Sequence, residues 1–317
     1  MAKADSDVAI SSPDLMRRVR RLEIRAKRLV TERLFGQYGS VFRGRGLEFS
    51  EVRAYQPGDD VRIIDWNVTA RMGVPYVKKF VEERELTVLI ALDLSGSQQF
   101  GTEASTKAEL GVELSALLAF AAVANNDLVG LLTFTDQIET FVPPAKGSRH
   151  ALRILRELIG GRPASRGTSI STAVAYLQRA LRRRAIVFLI SDFLDEEFES
   201  NLRYAARRHD VIALALSDPR ESVMAPIGLA EFEDAETGRR VWLDTADAGV
   251  RQRFAERASA DALSRHRQLM SLGVDVVPIS TEHDYIVPLT AYLQARARRR
   301  YRALGRVRGR FGARARP

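Results

Sequence analysis

The chain predicts an α/β fold: a mostly parallel sheet with helices on both faces, preceded by a basic helix and a small β-rich segment. Two observations carry that expectation. Short runs of nearly unbroken Leu, Ile, Val and Ala recur in "LTVLIALD", "AIVFLIS" and "DVIALALSD", and between them lie longer segments with apolar residues at three- and four-residue spacing. Strands apolar on both faces are strands buried on both faces, the condition of a parallel sheet whose crossovers are helices.

The elements follow in order. Residues 14–35, "DLMRRVRRLEIRAKRLVTERLF", place Leu15, Val19, Leu22, Ala26 and Leu29 on one helical stripe ringed by arginines. That stripe must pack on something, either the body of the chain or a membrane headgroup layer, for which it is narrow. From Tyr38 to Glu85 the pattern turns to short extended pieces broken by "GRG", "PGDD" and "RMGVP", with Pro57-Gly58 a strong turn signal and no long helix expected. From Leu86 the alternation is regular: "LTVLIALD" a strand, "KAELGVELSALLAFAAVANN" a helix, "LVGLLTF" and "IETFVPP" strands, then "SRHALRILRELIGG" and "SISTAVAYLQRALRRR" helices. "AIVFLIS" is a strand, "EEFESNLRYAARRH" a helix, and "DVIALALSD" a strand. A hairpin turning at Glu236-Thr237-Gly238, a helix over 247–272, the strand "VDVVPIS" and a final helix at about 287–300 complete the set. The expected division is 1–37 (basic helical segment), 38–85 (charged β-rich segment), 86–295 (α/β domain) and 296–317 (arginine-rich tail).

At 317 residues and 45% hydrophobic content the chain can bury a sizeable core. It has no cysteine, which excludes thiol catalysis, disulfides and thiolate metal sites and is compatible with a reducing compartment. No apolar run approaches the length of a membrane span and the N-terminus has no signal-peptide core, so a cytoplasmic protein is expected. The net charge of +9 is uneven: residues 296–317 carry ten arginines and no acidic residue. Such a tail attracts the phosphates of nucleic acid or anionic lipid, although it lacks the aromatic interleaving of a base-stacking platform. The alternatives are a solvated tail or a basic segment meeting a partner protein.

The candidate site lies where strands end. In open α/β sheets ligands bind beyond the carboxyl ends of the strands, where connections diverge. Asp93 ends the first strand of the domain, and Ser95 and Ser97 follow in its loop; "RGTSIS" puts Thr168 just before a helix; Asp192 ends "AIVFLIS". Asp, Ser, Ser, Thr and Asp are all hard oxygen donors, so the guest they suit is Mg²⁺, with Mn²⁺ or Ca²⁺ as alternatives, rather than zinc. Two carboxylates and three neutral hydroxyls leave an octahedral ion incompletely enclosed, so water or an incoming acidic side chain can take the vacancy. The plainer structural reading is that Asp93 and Asp192 cap nearby backbone.

This series resembles the von Willebrand factor A domain, a Rossmann-like fold, and its metal-ion-dependent adhesion site, whose Asp-x-Ser-x-Ser, Thr and Asp elements match Asp93, Ser95, Ser97, Thr168 and Asp192. The resemblance spans about 86–290. It implies direct or water-mediated coordination from the first loop, Thr168 from the second, and Asp192 through water, in a Mg²⁺-assisted contact completed by a partner's Glu or Asp. After Asp192 the chain reads Phe-Leu-Asp where many relatives carry Gly, a departure in the third loop.

Upstream, residues 48–85 interleave Arg53, Tyr55, Asp59, Asp60, Arg62, Asp65, Trp66 and Arg71. A second metal or hydrolytic site from Asp59, Asp60, Asp65 and Glu82 or Glu83 is one reading; an arginine–carboxylate network is the favoured one, given the arginines among them and the lack of histidine. "RAYQPGDDVRIIDWNVTAR" resembles the signature of the bacterial and archaeal family grouped as domain of unknown function 58, and the resemblance covers about 35–290. Relatives are often encoded beside MoxR-type AAA+ ATPases, which implies a chaperone-like or assembly system. Many relatives have transmembrane helices before this segment, and none is expected here from residues 1–47.

His150, His209, His266 and His283 are scattered without metal-ligand spacing, so solvated or capping roles are expected of them. Ser191-Asp192 with His209 lacks a nucleophile elbow, "RGRG" at 43–46 lacks the length and lysine of a nucleotide loop, and Trp242 is expected to pack. The functional expectation is a non-enzymatic adaptor binding a carboxylate of a partner protein, such as a MoxR-type AAA+ ATPase, through Mg²⁺. The alternatives are a metal-dependent phosphoesterase or nuclease, for which no base or nucleophile is evident, and an anionic-surface binder acting through the tail.

Overall fold

The computed structural model describes residues 12–34, 38, 41, 48–81, 85–101, 105–195, 197–233 and 237–312. The chain begins there with α1 (Ser12–Leu29), which closes in a single π turn at Val30–Leu34. Of its expected stripe, Val19 and Ala26 are buried, and Leu22 and Leu29 pack against the same core. The face sits on the protein's own helices, so the membrane alternative is not needed to cover it.

Strands β1 (Glu48–Ala54) and β2 (Tyr76–Val81) pair antiparallel. Between them is α2 (Trp66–Met72), a helix the sequence reading left out. Its cause is local: Asp65 Oδ1 accepts the N–H groups of Asn67 (3.0 Å) and Val68 (3.2 Å), and Gly73, at φ 72°, ends the helix in the left-handed conformation. The expected arginine–carboxylate network is present, since Arg53 grips Asp59 through two bonds of 2.8 and 2.7 Å while Gln56 N–H donates to the same carboxylate. The Arg53 hydrogen bond is the main reason that Asp59's carboxyl is held below its ordinary range.

The domain that follows contains β3 (Thr87–Asp93), α3 (Lys107–Ala124), β4 (Leu128–Phe134), β5 (Ile138–Ala145), α4 (Ser148–Gly160), α5 (Ile170–Ala180), β6 (Ile186–Ser191), α6 (Glu199–Arg208) and β7 (Asp210–Ser217). Hairpin strands β8 (Leu229–Glu233) and β9 (Arg240–Asp244), helix α7 (Ala248–Ser271), strand β10 (Asp275–Ser280) and helix α8 (Ile286–Gly312) complete it. The sheet runs β10-β7-β6-β3-β4-β5, parallel except for β5, which is antiparallel to β4. Prolines fall in the two outer strands, at Pro143, Pro144 and Pro278, where a missing N–H costs least.

The pleat divides the core. Val88, Ile90 and Leu92 of β3 join a cluster with residues of α1, α3, α4 and α8, while Leu89 and Ala91 join one with residues of α5, α6 and the end of α7. Helix α3 is apolar around its circumference because β3 and β4 cover one side and α1 and α4 the other.

Other expectations met different outcomes. Trp242 is 60% exposed rather than packed. The last helix continues to Gly312, well past residue 300, and the first arginine of the basic segment is structural: Arg296 donates to Asp275 Oδ2 (2.8 Å) and also pairs with Asp210. "RGRG", Glu82, Glu83, Glu236 and residues 1–11 lie outside the described residues.

Leu117, fully buried on α3, and Leu263, 56% exposed on α7, give a contrast. Leu117→Ala should lower unfolding free energy by about 2–5 kcal/mol in urea titration, and Leu263→Ala by less than about 0.5 kcal/mol.

Candidate functional site

Strands β3 and β6 are parallel neighbours with Leu92 beside Ile190, so the chain emerges at one edge with Asp93 next to Ser191 and Asp192 one residue on. From β3 the chain crosses through α3 on one face to β4, and from β6 it crosses through α6 on the other face to β7. The two connections diverge between β3 and β6, which makes this edge the topological switch point of the sheet.

Three loops are tied together there. Gly96 N–H donates to Arg166 carbonyl oxygen at 2.7 Å, joining the first loop to the second. Ser191 Oγ donates to Asp93 Oδ2 at 2.6 Å, joining the third to the first. Ile170 N–H donates to Asp195 Oδ2 at 2.7 Å, joining the second to the third. Ser95 and Ser97 are buried with their hydroxyl oxygens 3.1 Å apart. Asp93 and Asp192 are also buried. Thr168, half-buried, stands two residues beyond Arg166 in the tethered second loop.

The capping reading holds for one oxygen of each carboxylate. Asp93 Oδ1 accepts Ser95 N–H at 2.9 Å, and Asp192 Oδ1 accepts Leu194 N–H at 3.3 Å. The other oxygens reach across to neighbouring elements, which a cap does not explain. Burial, followed by the nearby Asp192 charge, pushes Asp93's carboxyl up to about 7, against the hydrogen bonds from Ser191 and Ser95.

Asp192 has a partner that the sequence reading passed over. Lys107, the first residue of α3, is fully buried, donates from Nζ to Asp192 Oδ2 at 2.6 Å, and also pairs with Glu221 in the turn after β7. Burial alone would lower its pKa; the Asp192 and Glu221 carboxylates outweigh burial and raise it. A lysine opening a helix normally reads as solvated. The available signal was the repeat of "ISD" after β6 and "LSD" after β7, which brings carboxylates from a third strand end to the same edge.

Gln98 was also missed. Its side chain is buried, with Nε2 3.5 Å from Asp93 Oδ2 and Oε1 without a hydrogen-bond partner. A buried acceptor left unpaired costs roughly 1–3 kcal/mol, and a cation or an ordered water satisfies it. The hydroxyls of Ser95 and Ser97 and the carboxylate of Asp93 are by type a donor set compatible with a hard divalent cation. Among the described residues there is no group of three or more His, Asp or Glu able to hold a metal ion.

The departure in the third loop has a structural resolution. Phe193 adopts φ 56°, the left-handed region that glycine favours, and buries its ring 6.2 Å from that of Phe198. Phe193 thus takes a bend that glycine adopts freely, with packing offsetting its strain. The hydrolase arrangement is ruled out by position: His209 accepts from Ala185 N–H at the start of β6, whereas Ser191 ends that strand, six residues or ~20 Å away.

Fold and edge together define an open α/β domain with oxygen side chains gathered at its switch point. The chain belongs to the family described as "Protein of unknown function DUF58", matched over residues 51–264. It is 32% identical over 294 residues to "Uncharacterized protein Rv1480" of Mycobacterium tuberculosis, covering 91% of this chain and 92% of that one. It is also 33% identical over 160 residues to "Uncharacterized protein MAV169" of Mycobacterium avium, covering 49% and 94%. Among solved structures it is similar to the conserved hypothetical protein BatB from Bacteroides thetaiotaomicron (18% identity, 67% of this chain and 99% of that one, TM-score 0.43). It is also similar to the SpRpn10 VWA domain (14% identity, 64% and 92%, TM-score 0.36). Among the described residues no helix is long and apolar enough to cross a membrane.

The folded chain holds Asp93's proton up to about 7, against 3.8 for an ordinary aspartate. The folded state therefore binds more protons between those values, and its metal-free stability falls as pH rises through that window, by roughly 4 kcal/mol. Asp93→Asn should flatten this slope in urea titrations at pH 4 to 8.

Proposed function

We propose that the protein is a Mg²⁺-dependent protein–protein interaction adaptor, acting in the cytoplasm with a MoxR-type AAA+ ATPase in a chaperone-like or assembly system. The observation that carries the reading is the closed set of ties among the three loops, which gathers oxygen donors from Asp93, Ser95 and Ser97 at one edge of the sheet. The partner class comes from the resemblance to the family signature in residues 53–71.

Asp93, Ser95 and Ser97 would hold the ion, with Thr168 and Asp192 contributing from the second and third loops. Bound there, Mg²⁺ supplies an under-neutralised charge with a vacancy suited to a carboxylate of the partner. Ser191 keeps Asp93 in place by donating to one of its oxygens, while the Ser95 N–H holds the other. Ordering by backbone and hydroxyl bonds lets the donors be positioned before a partner arrives, which reduces the conformational cost of docking.

The test is a pull-down with a MoxR-type AAA+ ATPase from the same organism, comparing wild type and Asp93→Ala with and without EDTA. Association should be strong only for wild type in Mg²⁺, falling at least about tenfold in chelator or in the variant. Recovery of the same partner in all four conditions would falsify the adaptor reading.

A further inference from the structure

We propose that Lys107 is a counter-cation built into the sheet edge, which sets how strongly Asp192 can serve a divalent ion; this deepens, and rests on, the Mg²⁺-dependent reading. The ammonium is fully buried between two carboxylates from different elements, Asp192 after β6 and Glu221 after β7. It opens α3, where the positive end of the helix dipole disfavours a cation. Its place is therefore owed to those carboxylates and not to the helix.

Its geometry is fixed from both sides. Glu221 Oε2 accepts Asp218 N–H at 3.0 Å while its Oε1 meets Lys107, so the carboxylate cannot swing away without opening its capping box. Asp218 is held in turn by Thr281, whose Oγ1 donates to Asp218 Oδ2 at 2.5 Å just beyond β10. On the other side, Asp192 Oδ1 is engaged by Leu194 N–H and its Oδ2 by Lys107. The charge of Asp192 is thus already answered by an ammonium that Glu221 shares.

Two consequences of opposite sign follow. Hard-cation sites gain affinity with the charge of their ligands. Removing the ammonium frees the charge of Asp192 for a divalent ion and strengthens binding. Removing the charge of Glu221 leaves the whole ammonium to Asp192 and weakens it. A purely structural Lys107 predicts no such pair: its loss would loosen the edge and weaken binding.

The experiment titrates Mg²⁺ alone into wild type, Lys107→Met and Glu221→Gln by isothermal calorimetry, with thermal melts of each protein with and without Mg²⁺. Lys107→Met should bind Mg²⁺ about tenfold more tightly than wild type, and Glu221→Gln severalfold more weakly. Without metal, Lys107→Met should melt lower than wild type, because Asp192 and Glu221 are left buried without their cation, and Mg²⁺ should raise its melting temperature by more than it raises wild type's. Equal or weaker binding by a folded Lys107→Met overturns the inference. If that variant does not fold, Glu221→Gln decides, and unchanged or tighter binding there overturns it. A wild type that takes up no Mg²⁺ removes the metal-dependent reading itself, and this inference with it, a result visible before either variant is measured.

Discussion

Two parallel strands lying side by side must end at the same edge of a sheet, and here both deliver an aspartate into a place with little water. Much of the site's chemistry answers that constraint. One carboxylate, Asp93, is compensated by Ser191 and Ser95 and still keeps its proton to about 7; the other, Asp192, is compensated by a lysine. Sharing a dry site between two carboxylates without such help raises the pKa of at least one of them. A hard cation is a further way to answer the same charge, which is why the metal-dependent reading and the buried lysine bear on one another.

The strand ends were legible in the sequence because burial on both faces leaves an unmistakable apolar run, and an aspartate closing such a run is conspicuous. β3 and β6 are of this kind, and so is β7, whose terminal Asp218 went unremarked although "LSD" repeats "ISD". Lys107 was not legible for a physical reason. A long basic side chain is nearly always solvated, and only the two acidic groups brought to it by β6 and β7, 85 and 114 residues away in sequence, hold it inside. Arg296 was hidden in the same way: within a run of arginines it reads as tail, and Asp210 and Asp275, at the opposite ends of two strands from the site, make it an anchor of α8.

Local signals fared differently from tertiary ones. Helix α2 was available in principle, since Asp65 before Trp66 and Gly73 after Met72 are a cap and a stop, but seven residues give too little periodicity to stand out among extended neighbours. Trp242 was misjudged because a tryptophan is usually covered. In the two-stranded β8-β9 pair it lies opposite Glu231, both are exposed, and nothing in the sequence of a hairpin says whether a further layer covers it.

The third loop shows how a left-handed bend can be carried by a bulky residue. What the loop needs after Asp192 is a left-handed residue, so that the chain turns back and Asp195 can reach the N-terminus of α5. Glycine adopts that conformation at no steric cost; phenylalanine does so only if something repays the strain. Phe193 is repaid by burial of its ring beside Phe198, and its N–H donates to Ser191 Oγ at 3.0 Å, leaving that hydroxyl's own hydrogen directed at Asp93. The orientation of Asp93 is therefore coupled, through one serine, to the packing of an aromatic ring under the third loop. A sequence pattern that scores only glycine at this position would miss the bend and hydrogen bonds that Phe193 makes here.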